Sequence, residues 1–123
     1  MKELTKAEEQ VMQVIWKLQK AFVKDIVAEF SDPSPAYTTV TTIIRILVKK
    51  KFVGFKSYGK VHEYYPLVSK REYMKSHFKT VLKDYFNNNY AGFTSFFTKE
   101  NDLGIQELEE IQKVIEEEIK ERR

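Results

Sequence analysis

Apolar positions recur at helical spacing through the first part of the chain. Val11, Met12, Ile15 and Trp16 form one stripe, and Val23, Ile26, Val27 and Phe30 form a second. Residues three and four apart share a helix face, so each set predicts an amphipathic helix. Thr5-Lys6-Ala7-Glu8 has the spacing of a capping box, in which hydroxyl and carboxylate satisfy each other's free amides. The second helix lacks such a start, since Phe22 stands where a hydroxyl cap is expected. Ser31-Asp32-Pro33-Ser34-Pro35 is a turn cluster that stops it, because proline has no amide to donate. A third stripe, Val40, Ile43, Ile44 and Leu47, predicts a helix from Tyr37 to about Lys51. Thr38, Thr41, Thr42, Arg45 and Lys49 fall on its opposite side.

After Lys51 the period changes. Phe52 to Ser57 and Val61 to Tyr65 are rich in aromatic and β-branched residues, and Tyr58-Gly59-Lys60 supplies a turn glycine between them. That pattern predicts a β-hairpin, closed by Pro66. Leu4 is placed to add a short third strand. Phe52, Phe55, Tyr64 and Tyr65 are expected to pack on the helices. Helix, helix, turn, basic helix and hairpin in this order make a winged helix-turn-helix.

The C-terminal half is patterned differently. Ser69-Lys70-Arg71-Glu72 is a second capping box, opening a helix to about Phe86 that Asn87-Asn88-Asn89 interrupts. A short helical piece with Phe93, Phe96 and Phe97 follows, then a last helix from about Ile105 with a Leu108, Ile111, Ile115, Ile119 stripe. These short helices carry more apolar surface than one chain of this size can bury. Surplus of that kind marks an interface. The expectation is a homodimer clasped through Phe78, Leu82, Phe86, Phe93, Phe97, Leu108, Ile111 and Ile115. The alternative is that Leu108 to Ile119 caps the N-terminal domain, with Glu116-Glu117-Glu118 as a solvated face. The fold class is therefore mainly α with a small β-hairpin. A winged helix-turn-helix domain (1–67) is followed by a helical dimerisation domain (68–123).

Charge sharpens the picture. Between Tyr37 and His62 lie six basic residues and no acidic one. Residues 1–66 hold 11 basic and 7 acidic side chains, a net +4, against 10 and 11 in residues 67–123, a net −1. Positive excess concentrated at the third helix and hairpin favours a polyanion there. Threonine hydroxyls can bond phosphates or base edges, their methyls can meet thymine, and arginine can fork onto guanine. On this reading double-stranded DNA is the partner. Arg45 is the first base-reading candidate, followed by Thr38, Thr41 and Thr42; Lys49, Lys50, Lys56 and Lys60 are better placed for phosphate contacts, and Tyr37 and Thr39 complete the DNA-binding set. Two other readings stay open: a solvated amphipathic helix, and a winged module that binds an acidic protein.

Enzymatic chemistry finds little support. His62 and His77 are the only histidines, neither with a second ligand at metal spacing, and no phosphate loop or nucleophile elbow is visible. No metal or cofactor is expected. The absence of cysteine excludes a disulfide scaffold and a thiolate site. No apolar run reaches membrane-spanning length and Met1-Lys2-Glu3-Leu4 opens no secretory signal, so a cytoplasmic protein is expected.

Several of these segments resemble the BlaI/MecI-type penicillinase-repressor family. They are Ala36-Tyr37-Thr38-Thr39-Val40, Leu47-Val48-Lys49-Lys50-Lys51-Phe52-Val53, Gly59 with Tyr64-Tyr65-Pro66, and Glu8, Val11-Met12 and Ile15-Trp16. The resemblance implies a homodimeric winged-helix repressor on a palindromic operator. It also implies release by a membrane sensor protease that cuts an Asn-Phe bond between dimerisation helices. The corresponding positions here are Phe96 and Phe97, so the asparagine is missing, and the segment is about two residues shorter. Ile46-Leu47 stands where the family commonly has arginine then leucine, with the arginine at Arg45, and Lys51 replaces the glycine before the wing. Copper-responsive relatives carry a C-terminal cysteine cluster, which this chain lacks.

Overall fold

Thr5 opens the first helix, α1 (Lys6–Leu18), as its spacing requires. The Glu8 amide donates to Thr5 Oγ1 at 3.2 Å and the Thr5 amide to Glu8 Oε1 at 3.3 Å. The computed structural model describes residues 1–123. Next comes α2 (Val23–Ala28), shorter than expected. Phe22 cannot cap it with a side-chain oxygen, so Asp25 Oδ2 reaches back to accept from the Phe22 amide at 3.0 Å. After the proline turn, α3 runs Tyr37–Lys49.

Helix α3 ends in a Schellman arrangement. The Phe52 amide donates to the Leu47 carbonyl and the Lys51 amide to the Val48 carbonyl, both at 3.0 Å. That geometry places Lys51 in the left-handed region, at φ 67°. The glycine common at this position in the resembling family has a physical reason: only glycine takes that conformation without strain.

Strands β1 (Val53–Tyr58) and β2 (Val61–Pro66) then pair antiparallel, with Phe55 opposite Tyr64 and Lys56 opposite Glu63. Gly59, at φ 64°, turns the chain between them. The expected strand at Leu4 does not form. Ala21 bridges Tyr64 instead, its amide donating to the Tyr64 carbonyl at 3.0 Å and its carbonyl accepting from the Tyr64 amide at 2.8 Å. The connection between α1 and α2 supplies this third edge, so β2 is not left open there.

Apolar faces of α1, α2, α3 and the base of the wing close one core. Met12, Ile15, Ile26, Val40, Ile44 and Leu47 are wholly buried, with Phe52 and Val53 beside them. Of the wing aromatics, Phe52 and Tyr64 are buried as expected, whereas Phe55 and Tyr65 remain substantially exposed. The Tyr65 ring instead lies over Gly54, where any Cβ would meet it at 2.9 Å.

Helix α4 (Lys70–Phe86) starts at the Ser69–Glu72 box, with the Glu72 amide donating to Ser69 Oγ at 3.0 Å. Two compact units divide within this helix, Met1–Phe78 and Lys79–Arg123. The first unit thus extends past the expected boundary at residue 67. The reason is Tyr73, whose ring lies 5.7 Å from Trp16 and 5.8 Å from Phe52 and whose hydroxyl donates to Glu9 Oε2 at 2.5 Å. Trp16 Nε1 donates to the Val68 carbonyl at 2.8 Å, fixing the approach to α4.

In the second unit, Asn87 and Asn88 take left-handed conformations that stop α4, and Asn89 Oδ1 caps α5 (Tyr90–Glu100) by accepting from the Gly92 amide. Helix α6 (Ile105–Arg122) follows. Phe86 contacts Phe93 and Phe96, with ring centroids 5.3 and 5.6 Å apart. Even so, none of the residues of α4, α5 or α6 is fully buried.

Candidate nucleic-acid interface

Helix α3 separates its two chemistries cleanly. Val40, Ile44 and Leu47 face the core, while Tyr37, Thr38, Thr39, Thr42, Arg45 and Lys49 are exposed and Thr41 is half-buried. Two hydroxyls are already engaged: Thr41 Oγ1 donates to the Tyr37 carbonyl at 2.9 Å and Thr42 Oγ1 to the Thr38 carbonyl at 3.0 Å. Their oxygens keep acceptor capacity and their methyls remain available. They suit a base amino group or a thymine methyl better than a phosphate, which needs a donor.

The cations differ more than their sequence positions suggest. Arg45, Lys49 and Lys60 have no carboxylate within ion-pair distance. Lys50, also expected at a phosphate, is already engaged within the protein. Its ammonium lies 2.5 Å from Glu8 Oε1 and donates to the Glu3 carbonyl at 3.2 Å. Burial alone would raise the Glu8 carboxyl, but hydrogen bonds from Lys50 and Thr5 outweigh it and hold the group below 4.5. Lys50 therefore fastens α3 to α1.

The wing also divides its residues by face. Register puts Lys56 with Glu63, and Tyr58 with Val61, on one face; Phe55 with Tyr64, and Ser57 with His62, lie on the other. Lys56 Nζ sits 5.4 Å from the Tyr58 ring centre and has Glu63 across the ladder. Lys60, at the turn, lines a cleft together with Tyr37, Thr41 and Arg45 of α3. The structure thus brings Arg45 and Lys60 to one surface and sets Lys56 on another.

Sequence reading missed three members of this surface. Phe22 and Lys24, at the start of α2, line the same cleft, as does His62. The His62 ring lies tilted against Phe55, centroids 4.4 Å apart, and its Nδ1 lies 2.9 Å from Ser57 Oγ. The cross-strand pairing of residues 57 and 62 was the signal that could have found it. Burial pushes the Tyr64 phenol above its ordinary value of 10, although the Arg45 guanidinium pulls the other way. Tyr64 therefore stays neutral at ordinary pH.

In the second unit, Leu82, Phe86, Phe93 and Ile111 of the expected clasp are half-buried, whereas Phe97, Leu108 and Ile115 are exposed. Phe78, also exposed, belongs to the first unit. Phe96 and Phe97 are exposed within helical α5. No helix is long and apolar enough to cross a membrane.

A three-helix core with a two-stranded wing defines a winged helix-turn-helix protein of the kind that regulates transcription. The penicillinase repressor family profile matches residues 4–117, and the chain belongs to that family. It is similar to the methicillin resistance regulatory protein MecI of Staphylococcus aureus (strain N315), 28% identical over 116 residues that span 92% of this chain and 93% of MecI. The penicillinase repressor of Bacillus licheniformis is 25% identical over 116 residues, covering 94% of this chain and 91% of the relative. The solution structure of the DNA-binding domain of the repressor BlaI superposes with a TM-score of 0.51 at 30% identity, over 59% of this chain and 94% of that one. Family membership makes the protein a transcriptional repressor rather than an enzyme.

Proposed function

We propose that this repressor works as a homodimer on a palindromic operator, each protomer setting α3 into a major groove and its wing against the flanking backbone. The observation that carries this reading is the unpaired cationic surface of Arg45, Lys49 and Lys60, on a helix whose exposed side also carries Thr38 and Thr42, with Thr41 half-buried beside them. The BlaI domain named for DNA binding has the same fold, which supports the same partner here. An acidic protein would need only charge; the threonine row adds the short-range chemistry of base edges.

A second copy of this chain is the natural cover for α4 to α6. Those helices bury no residue fully in one protomer, and one recognition helix contacts too few bases to be selective. Release by a sensor protease near Phe96 and Phe97 would require α5 to open first, since proteases bind their substrates extended. Selection of bound sequences from a random duplex pool, followed by sedimentation of the complex, tests the whole reading. The expected result is an inverted repeat holding two protomers. Recovery of no sequence preference, or a single protomer on an asymmetric site, would overturn it.

A further inference from the structure

A cleft of about 650 Å³ opens between the start of α2, the Tyr37–Arg45 side of α3 and the wing. Its lining joins two chemistries. Phe22, Val23, Val48, Phe55, Val61 and Tyr64 give apolar walls. Lys24, Arg45 and Lys60 add cations, and no carboxylate is among the lining residues. Phosphate and sugar gain little from walls of that kind. The size and the few convergent polar groups match a small-molecule site instead.

We propose that this cleft binds a small, flat, apolar anion of the aromatic carboxylate class. Its ring lies against Phe22, Phe55 and Tyr64, and its carboxylate meets the Arg45 guanidinium. A planar guanidinium with no protein carboxylate of its own is suited to a bidentate pair. One wall is already set: the Ser57–His62 contact at 2.9 Å holds the imidazole against Phe55. Tyr64 remains a neutral phenol, so it brings no negative charge to oppose the ligand. Arg45 and Lys60 are the residues assigned to nucleic acid, so ligand and DNA exclude each other. The anion thereby releases the repressor without any cut in the chain. Exclusion rests on the DNA reading above; binding of the anion to the free protein does not.

The test titrates the isotope-labelled full chain with naphthoate, and in parallel with the uncharged naphthylmethanol, following backbone amides by NMR. Saturable shifts are expected around Phe22, Val23, Thr41, Arg45, Val61 and His62 at millimolar naphthoate. Arg45→Gln, at an exposed position, should weaken naphthoate roughly tenfold and leave the alcohol unchanged. Naphthoate should also displace a labelled random duplex at the concentrations that saturate the shifts. No saturable shifts, shifts confined to α4 to α6, or equal binding of the alcohol would overturn the site. Binding without displacement would overturn the exclusion. A protein that binds no duplex at all sinks the DNA reading, while the titration still decides the ligand.

Discussion

Lys50 on α3 and Glu8 on α1 meet at 2.5 Å between Nζ and Oε1, with only 22% and 8% of their side-chain surface exposed. Removing one partner leaves the other charge poorly solvated. Lys50→Met should therefore cost roughly 3 kcal/mol of stability at neutral pH. The Glu8 carboxyl is held below its ordinary 4.5, so the pair's contribution is present above pH 4.5 and fades as pH falls through the lowered value. Urea melts of wild type and variant should converge in acid. A variant equally destabilised at pH 7 and well below pH 4 would show that the charge pair is not the cause.

Tyr73 makes the matching prediction in alkali. Burial, then its hydrogen bond to Glu9, pushes the phenol from 10 up to about 12. A raised folded value stabilises the protein below pH 10 and loses that contribution between pH 10 and about 12. Tyr73→Phe should cost about 1–3 kcal/mol at pH 7, as expected for a hydrogen bond to a charged group. It should also flatten the alkaline fall. Thermal melts at pH 7, 9 and 11 check both halves.

Lys51 should tolerate, and profit from, the residue it replaces. At φ 67° a glycine avoids the side-chain strain, so Lys51→Gly should raise stability by about 0.5–1 kcal/mol. Lys51→Ala, which keeps a Cβ, should not. Equal stability of the two variants would exclude backbone strain as the reason.

Arg45→Ala should lose about 1–3 kcal/mol against the cognate operator and relax preference at one base pair in each half-site. Lys60→Ala should weaken all duplexes alike and reduce the salt slope, if Lys60 meets a phosphate as proposed. Lys50→Met, compared at equal folded fraction, should leave duplex affinity unchanged. Equal losses for Arg45→Ala on operator and random DNA would reassign it to the backbone.

Leu108 and Ile115 are 40% and 47% exposed in one chain, so carboxylates there cost the lone protomer little. Leu108→Asp with Ile115→Asp should nevertheless yield a monomer in sedimentation, because an apolar contact disfavours unpaired charge. Half-sites one helical turn apart, roughly 34–36 Å, would then lose joint occupancy. A wild-type chain that sediments as a monomer at micromolar concentration would overturn the dimer.

The features legible in the sequence were those written locally. Both capping boxes, the triple-asparagine break and the glycine turn involve residues within a few positions of one another, and each formed as expected. The Lys50–Glu8 pair was not legible, because on the helix alone Lys50 is indistinguishable from Lys49; only the packing of α1 against α3 brings Glu8 to it. The third edge went to Ala21 instead of Leu4 for a similar reason, since a strand partner is chosen by tertiary geometry. Of the candidate interface, the exposed face of α3 was legible from periodicity. The contribution of Phe22, Lys24 and His62 was not, as it exists only once α2 and the wing converge.

The Ala21–Tyr64 bridge gives the protein a built-in gauge. Two reciprocal amide bonds tie the wing to the interhelical connection, so neither amide can exchange with solvent while the wing lies in place. Ala21 and Tyr64 both belong to the buried core, and Tyr64 also lines the cleft, so the bridge is the seam where the core meets the cleft wall. Anything that lifts the wing, whether thermal opening or a bulky occupant, must first unzip this seam. The protection of two backbone protons would then report the posture of the whole recognition surface.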